Sequence, residues 1–206
     1  MKQALNARML LVEEMKKKQP NGTLISQMMD QSFPLRRQEI VKKEPAVQIV
    51  VERWPALFIE RPVFAEINRI TSKNLEGDFF EALDQYAPRI PILLGDDSSE
   101  FYKTCSDTAR DKALECITVG VLTVVSEDSP HEGQSSVDLQ PISTAIILEG
   151  GIVMDHIKNL PQAVCLLFGL TYALHLDYPK CMANTLNFIQ TVMFGLGKKK
   201  NSHQNC

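Results

Sequence analysis

The chain has no paired CxxC, no HExxH, no GxSxG and no acidic calcium loop. Each absence removes a class of chemistry, because zinc sites, nucleophile elbows and EF-hands need those residue types at those spacings. Cys165, His175 and Cys181 fall within seventeen residues, but in no zinc spacing. Gly195-Leu196-Gly197-Lys198 has the wrong spacing for a phosphate loop and reads as a helix stop. His175 and Asp177 are too close along one helix to face each other as base and orienter. The carboxylates Asp96-Asp97, Glu127-Asp128 and Glu149 sit in or beside loops and support no acid–base pair. No catalytic residue, cofactor site or metal site is therefore expected.

Charge of one sign is also lacking. The formal net charge is -3, so no global field points at nucleic acid. Residues 1–45 do carry nine Lys/Arg against five Asp/Glu, while residues 96–206 carry eight against thirteen. Under a nucleic-acid reading the phosphate contacts would be Lys16, Lys17, Lys18, Arg36, Arg37, Lys42 and Lys43, but Phe33 is the only aromatic among them. Tryptophan occurs once, at Trp54, followed by Phe58. A lone Trp between helices is expected to be a buried anchor. The sharper alternative makes Trp54 and Phe58 a contact for a protein partner.

Long apolar runs are short of what a membrane needs. Ala163 to Leu176 reads AVCLLFGLTYALHL, fourteen residues that include His175 and meet Asp177 at once. A span takes about 20 apolar residues, so the run is expected to be a core helix rather than a membrane segment. The five cysteines are odd in number and irregular in spacing, and the first residues lack the apolar core of a leader. Free thiols in an intracellular compartment, cytoplasmic or nuclear, are expected, with Cys165 as a small core residue. The tail's terminal Cys206 has no residues after it for a prenylation signal.

What is present is an ordinary globular composition, with 44% apolar and 23% charged residues. Leu5, Met9, Val12 and Met15 recur at helical spacing and predict a helix over 3–18 with its lysines in the last turn. Pro20-Asn21-Gly22 stops it. Thr23 is expected to cap a helix over 24–30, and Ser32 a second over 33–43. Further helices are expected over 46–53, 62–70 and, capped by Asn74, 75–86. Strands follow over 116–126, 142–149 and 152–155, the last two joined at Gly150-Gly151. Asn159 caps a helix over 160–176, and a last helix covers 183–196. The expected fold class is α+β: an N-terminal bundle of short helices (1–95), a linker (96–111), an α+β domain (112–197) and a disordered tail (198–206). In that domain a small antiparallel sheet of about three strands is covered by two apolar C-terminal helices.

Pro20-Asn21-Gly22, the segment Glu52–Phe58, Thr123–Asp128 and Leu167–Lys180 (LFGLTYALHLDYPK) together resemble a group of fish proteins labelled sterile alpha motif domain-containing protein 3-like. The similarity runs from about residue 10 to 196. The chain departs from that group in lacking the N-terminal sterile alpha motif domain and in being shorter around Tyr86–Leu94. The resemblance implies no activity, cofactor or site residue. The leading expectation is a non-enzymatic protein-interaction or scaffold module with an unidentified protein partner. The alternatives are a nucleic-acid-associated protein using the basic N-terminal helices, and an enzyme with an unrecognised site, which a deep pocket lined by His156 or His175 and carboxylates would favour.

Overall fold

The computed structural model describes residues 2–86, 117–125, 141–180 and 182–196. The expected linker and tail lie outside them. Helix α1 (Lys2–Met15) ends three residues earlier than its composition suggests. Its lysines lie past the last turn, where Lys16 and Lys17 reach back to Glu13 and Glu14 at 2.7 and 2.6 Å. The face it buries is Ala7, Leu11 and Glu14 rather than the Leu5–Met9–Val12 stripe. Glu14 closes the turn by accepting from the Asn21 backbone N–H at 2.8 Å.

That arrangement makes the turn sensitive to acid. The Lys17 ammonium first, and then the Asn21 N–H, hold the Glu14 carboxyl below its ordinary value of 4.5. The unfolded chain therefore binds the extra proton first on acidification. Glu14 stabilises the fold above the unfolded value, and this contribution is lost as pH falls through the lower folded value. Urea midpoints measured from about pH 6 down to about pH 3 should fall less steeply for Glu14→Gln than for the wild type.

Helix α2 (Gly22–Lys43) is one helix where two were expected. Asn21, not Thr23, caps it, accepting from Thr23 N and Leu24 N at 3.0 and 3.1 Å. Ser32 is not a cap. Its hydroxyl donates to Met28 O at 2.7 Å from inside the helix, two residues before Pro34. Helix α3 (Val47–Arg53), a 3-10 turn (Pro55–Phe58), α4 (Glu60–Thr71) and α5 (Leu75–Tyr86) follow.

The sheet is antiparallel, in the order β1 (Val119–Val125), β2 (Pro141–Leu148), β3 (Gly151–Ile157). Its hairpin turn centres on Glu149 and Gly150, one residue before the expected pair, and both have positive φ (49° and 78°). Positive φ at both central residues is what the favoured two-residue hairpin turn requires. Ile146 and Leu148 of the central strand join the core, with Val119 of its neighbour.

Helix α6 (Leu160–Ala173) lies on that side of the sheet and on α4 and α5. Asn159 Oδ1 caps it by accepting from Gln162 N at 2.9 Å. Ala163, Cys165, Leu166, Leu167, Phe168 and Leu170 are all 0% exposed, so the apolar run is a core helix. Gly169 lets α4 approach: a Cβ there would stand 2.9 Å from Val63 Cγ1. The helix ends sooner than expected, in a Schellman motif. His175 takes the left-handed position (φ 59°), while Leu176 N donates to Thr171 O at 2.9 Å. Helix α7 (Ala183–Phe188) and a π turn (Ile189–Met193) bring Phe194 onto Phe168 and Phe79, at ring-centroid distances of 5.0 and 6.2 Å. Of the two C-terminal helices, α6 makes the main sheet contact.

Among the described residues, three side-chain hydrogen bonds join the helical half to the rest. Glu149 accepts from Val47 N at 2.8 Å, Gln162 donates to Glu60 at 2.5 Å, and Arg37 donates to Ala173 O at 2.7 Å. Among the described residues, an apolar cluster runs through both halves, from Ala7 to Phe194.

Candidate functional site

The densest polar chemistry lies inside the helical half. Arg36 is fully buried, and a buried guanidinium needs a carboxylate and partners for its remaining donors. Glu66 on α4, equally buried, takes Nε and Nη2 at 2.9 and 2.5 Å. Nη1 donates to Ser32 Oγ at 2.8 Å, and Nη2 also reaches Met29 O at 3.1 Å. The Trp54 ring lies 5.3 Å from the guanidinium carbon. Trp54 Nε1 in turn donates to Glu39 at 3.2 Å, Glu39 meets Arg8 at 3.4 Å, and Arg8 stands 5.8 Å from the same ring. On the other side Arg69 bonds both Glu66 and Asp30. The chain of contacts from Arg8 to Asp30 thus links α1, α2, the Trp54 turn and α4. No buried side-chain N or O among the described residues lacks a partner. This is a clamp: among the described residues, each of its buried polar groups has a structural partner.

The structure scatters the sequence-predicted contact residues. Trp54 is 1% exposed, so it is the internal anchor and offers no ring to a partner. Phe58 is half-buried and lines a groove of about 240 Å³ along β3, with Glu60, Asp155, His156 and Leu166. Arg36 is inside the clamp and cannot touch phosphate. Arg37 is half-buried, and its guanidinium serves the last turn of α6. Lys16 and Lys17 hold their own glutamates, while Lys18, Lys42 and Lys43 are exposed. The first three lysines precede α2 and the last two end it. The helix rises about 1.5 Å per residue, so its 22 residues set these two groups roughly 33 Å apart. The seven residues do not form one patch.

Catalytic geometry is as sparse. His156 and Asp155 approach to 3.2 Å, both well exposed, but among the described residues the groove they line holds no Ser, Thr, Cys or Lys. His175 serves a helix end. Burial pushes the Cys165 thiol far up, as suits an inert core residue. No cluster of three metal-ligating side chains occurs among the described residues, and no described helix is long and apolar enough to cross a membrane.

One surface feature escaped the sequence reading. Of the residues that recur at helical spacing, Met9 is 64% exposed and Leu5 37%, Val12 is half-buried, and Met15 packs against the core. Beside Met9, Leu10 is 48% exposed. A groove of about 410 Å³ lies there, lined by Arg8, Met9, Val12 and Glu13 of α1 with Glu52 and Arg53 at the end of α3. The signal was available, because apolar residues surround α1 on both faces.

Fold and site together define a set of packed helices in which a buried ion pair ties α2 to α4, backed by a small sheet, with apolar side chains exposed on α1. Residues 5–59 match the family described as sterile alpha motif domain-containing protein 3, helical domain. The matched stretch spans α1 almost entirely, α2, α3 and the Trp54 turn, and it stops just before α4 supplies Glu66. This supports a relationship to that protein within the helical half. No curated protein and no solved structure matches the chain.

Proposed function

We propose that the chain is a non-enzymatic protein-interaction module, and that the outward face of α1 is its contact surface. The observation that carries the reading is Met9, an apolar side chain 64% exposed in the middle of a helical stripe beside a groove. Apolar side chains clustered on one exposed face mark contact sites more often than isolated ones do. The match to a helical domain of a modular protein supports the same reading, as does the self-satisfied clamp. Its place in the cell is intracellular, in keeping with a free, buried Cys165. The wider kinship to the fish proteins, beyond the matched helical stretch, belongs to this proposal too.

The test is to pan the full chain against a random-peptide library and map the selected peptides by amide hydrogen exchange. Protection should fall on α1 and on Glu52 and Arg53, and Met9→Glu should lose the peptides while keeping the thermal midpoint. Footprints confined to β3 or to the lysines at the end of α2, or turnover of a substrate by the purified chain, would overturn the reading.

A further inference from the structure

The charges around the open α1 face point to a particular occupant. With 100° per residue, Leu5, Met9 and Val12 share one side of the helix, opposite Ala7, Leu11 and Glu14. Arg8 and Glu13 flank that stripe, each roughly 70° from its centre and on opposite sides. In heptad terms Leu5 and Val12 fall at d, Met9 at a, Arg8 at g and Glu13 at the following e. A g residue meets the e residue five positions later on the partner helix when two helices run parallel. A uniformly acidic or basic partner would leave one of these flanks opposed by its own sign. A second α1, parallel and in register, offers Glu13 to Arg8 on one flank and Arg8 to Glu13 on the other.

We propose that α1 of a second copy of this chain covers the stripe, forming a parallel two-fold pair with Met9 against Met9 and two Arg8–Glu13 contacts. This rests on the reading of α1 as the contact surface. Each copy's Ala7–Leu11 face is turned to its own core, and Glu52 and Arg53 at the end of its α3 border the groove beside the stripe, so the second helix would lie along the outer, Met9 side. Glu13 is free to change partners, because its bond to Lys16 is a surface pair with both side chains more than 60% exposed. Arg8 commits only Nη1 to Glu39. The seam is short and ends at Lys16 in the next a position, so the pair should be reversible.

Sedimentation of the full chain across rising concentration tests this. The wild type should shift from monomer to dimer, Met9→Glu should remain monomeric, and Glu13→Arg should weaken the dimer roughly tenfold by opposing two arginine pairs. Met9→Cys adds geometry: under mild oxidation, peptide mapping should find a disulfide joining the introduced thiols of the two copies, and Leu10→Cys should give no such link. A wild type that stays monomeric throughout, or cross-linking as strong from Leu10→Cys, would overturn the pairing. If peptides still bind at Met9 while the wild type is monomeric, the contact surface stands and the second copy falls. If neither occurs, both fall.

Discussion

Glu66→Ala should lower the unfolding free energy by about 3–5 kcal/mol, read as a large drop in the urea midpoint. The substitution leaves Arg36 fully buried with its charge uncompensated. It also removes a partner of Arg69. Arg36→Met should cost a similar amount for the mirrored reason, since Glu66 would be left with only the more distant Arg69. The informative variant is the pair Arg36→Met with Glu66→Leu. Replacing a buried ion pair by apolar residues of like volume is often neutral or stabilising, so the double variant should recover most of what either single one loses. Additive losses would show that Arg36 and Glu66 do not act as one unit.

Trp54→Ala is the second large effect, about 3–5 kcal/mol of stability. The ring fills a fully enclosed site, stacks near Arg36 and Arg8, and carries an N–H that satisfies Glu39. Deleting it opens a cavity, strips the aromatic face from two cations and unpairs one carboxylate oxygen. Thermal unfolding followed by circular dichroism would check it. A Trp54→Ala protein with an unchanged midpoint would mean that the ring is not the anchor.

These two sites show where the sequence is readable and where it is not. Trp54 stands alone between helix signals, and a single large aromatic at a helix break has few other uses. The apolar run at α6 is equally legible, since fourteen residues that are nearly all apolar are too few for a bilayer and too many for a surface. The strands carry β-branched runs and a glycine pair. The third strand runs on to Ile157, past the expected 155, and the turn centre moves to Glu149-Gly150, where the Glu149 carboxylate also caps the first N–H of α3. The Arg36–Glu66 pair is not legible: thirty residues separate the partners, and nothing local marks Arg36 as buried. Its effect on α2 is hidden for the same reason. Ser32 and Pro34 read as a new start, yet Arg36 bonds Ser32 and Met29 and ties the helix across the proline. On α1 the pattern misleads, because apolar residues occupy two opposite faces. The neighbour that α2 provides selects Ala7 and Leu11, and periodicity alone cannot rank them.

The exposed face of α1 carries the functional account, so Met9→Glu tests it most directly. Calorimetric titration of a library-selected peptide into wild type and Met9→Glu, each shown folded by circular dichroism, gives the answer. The account predicts saturable heat for the wild type and none for the variant at an equal thermal midpoint. Equal binding by both proteins would contradict it.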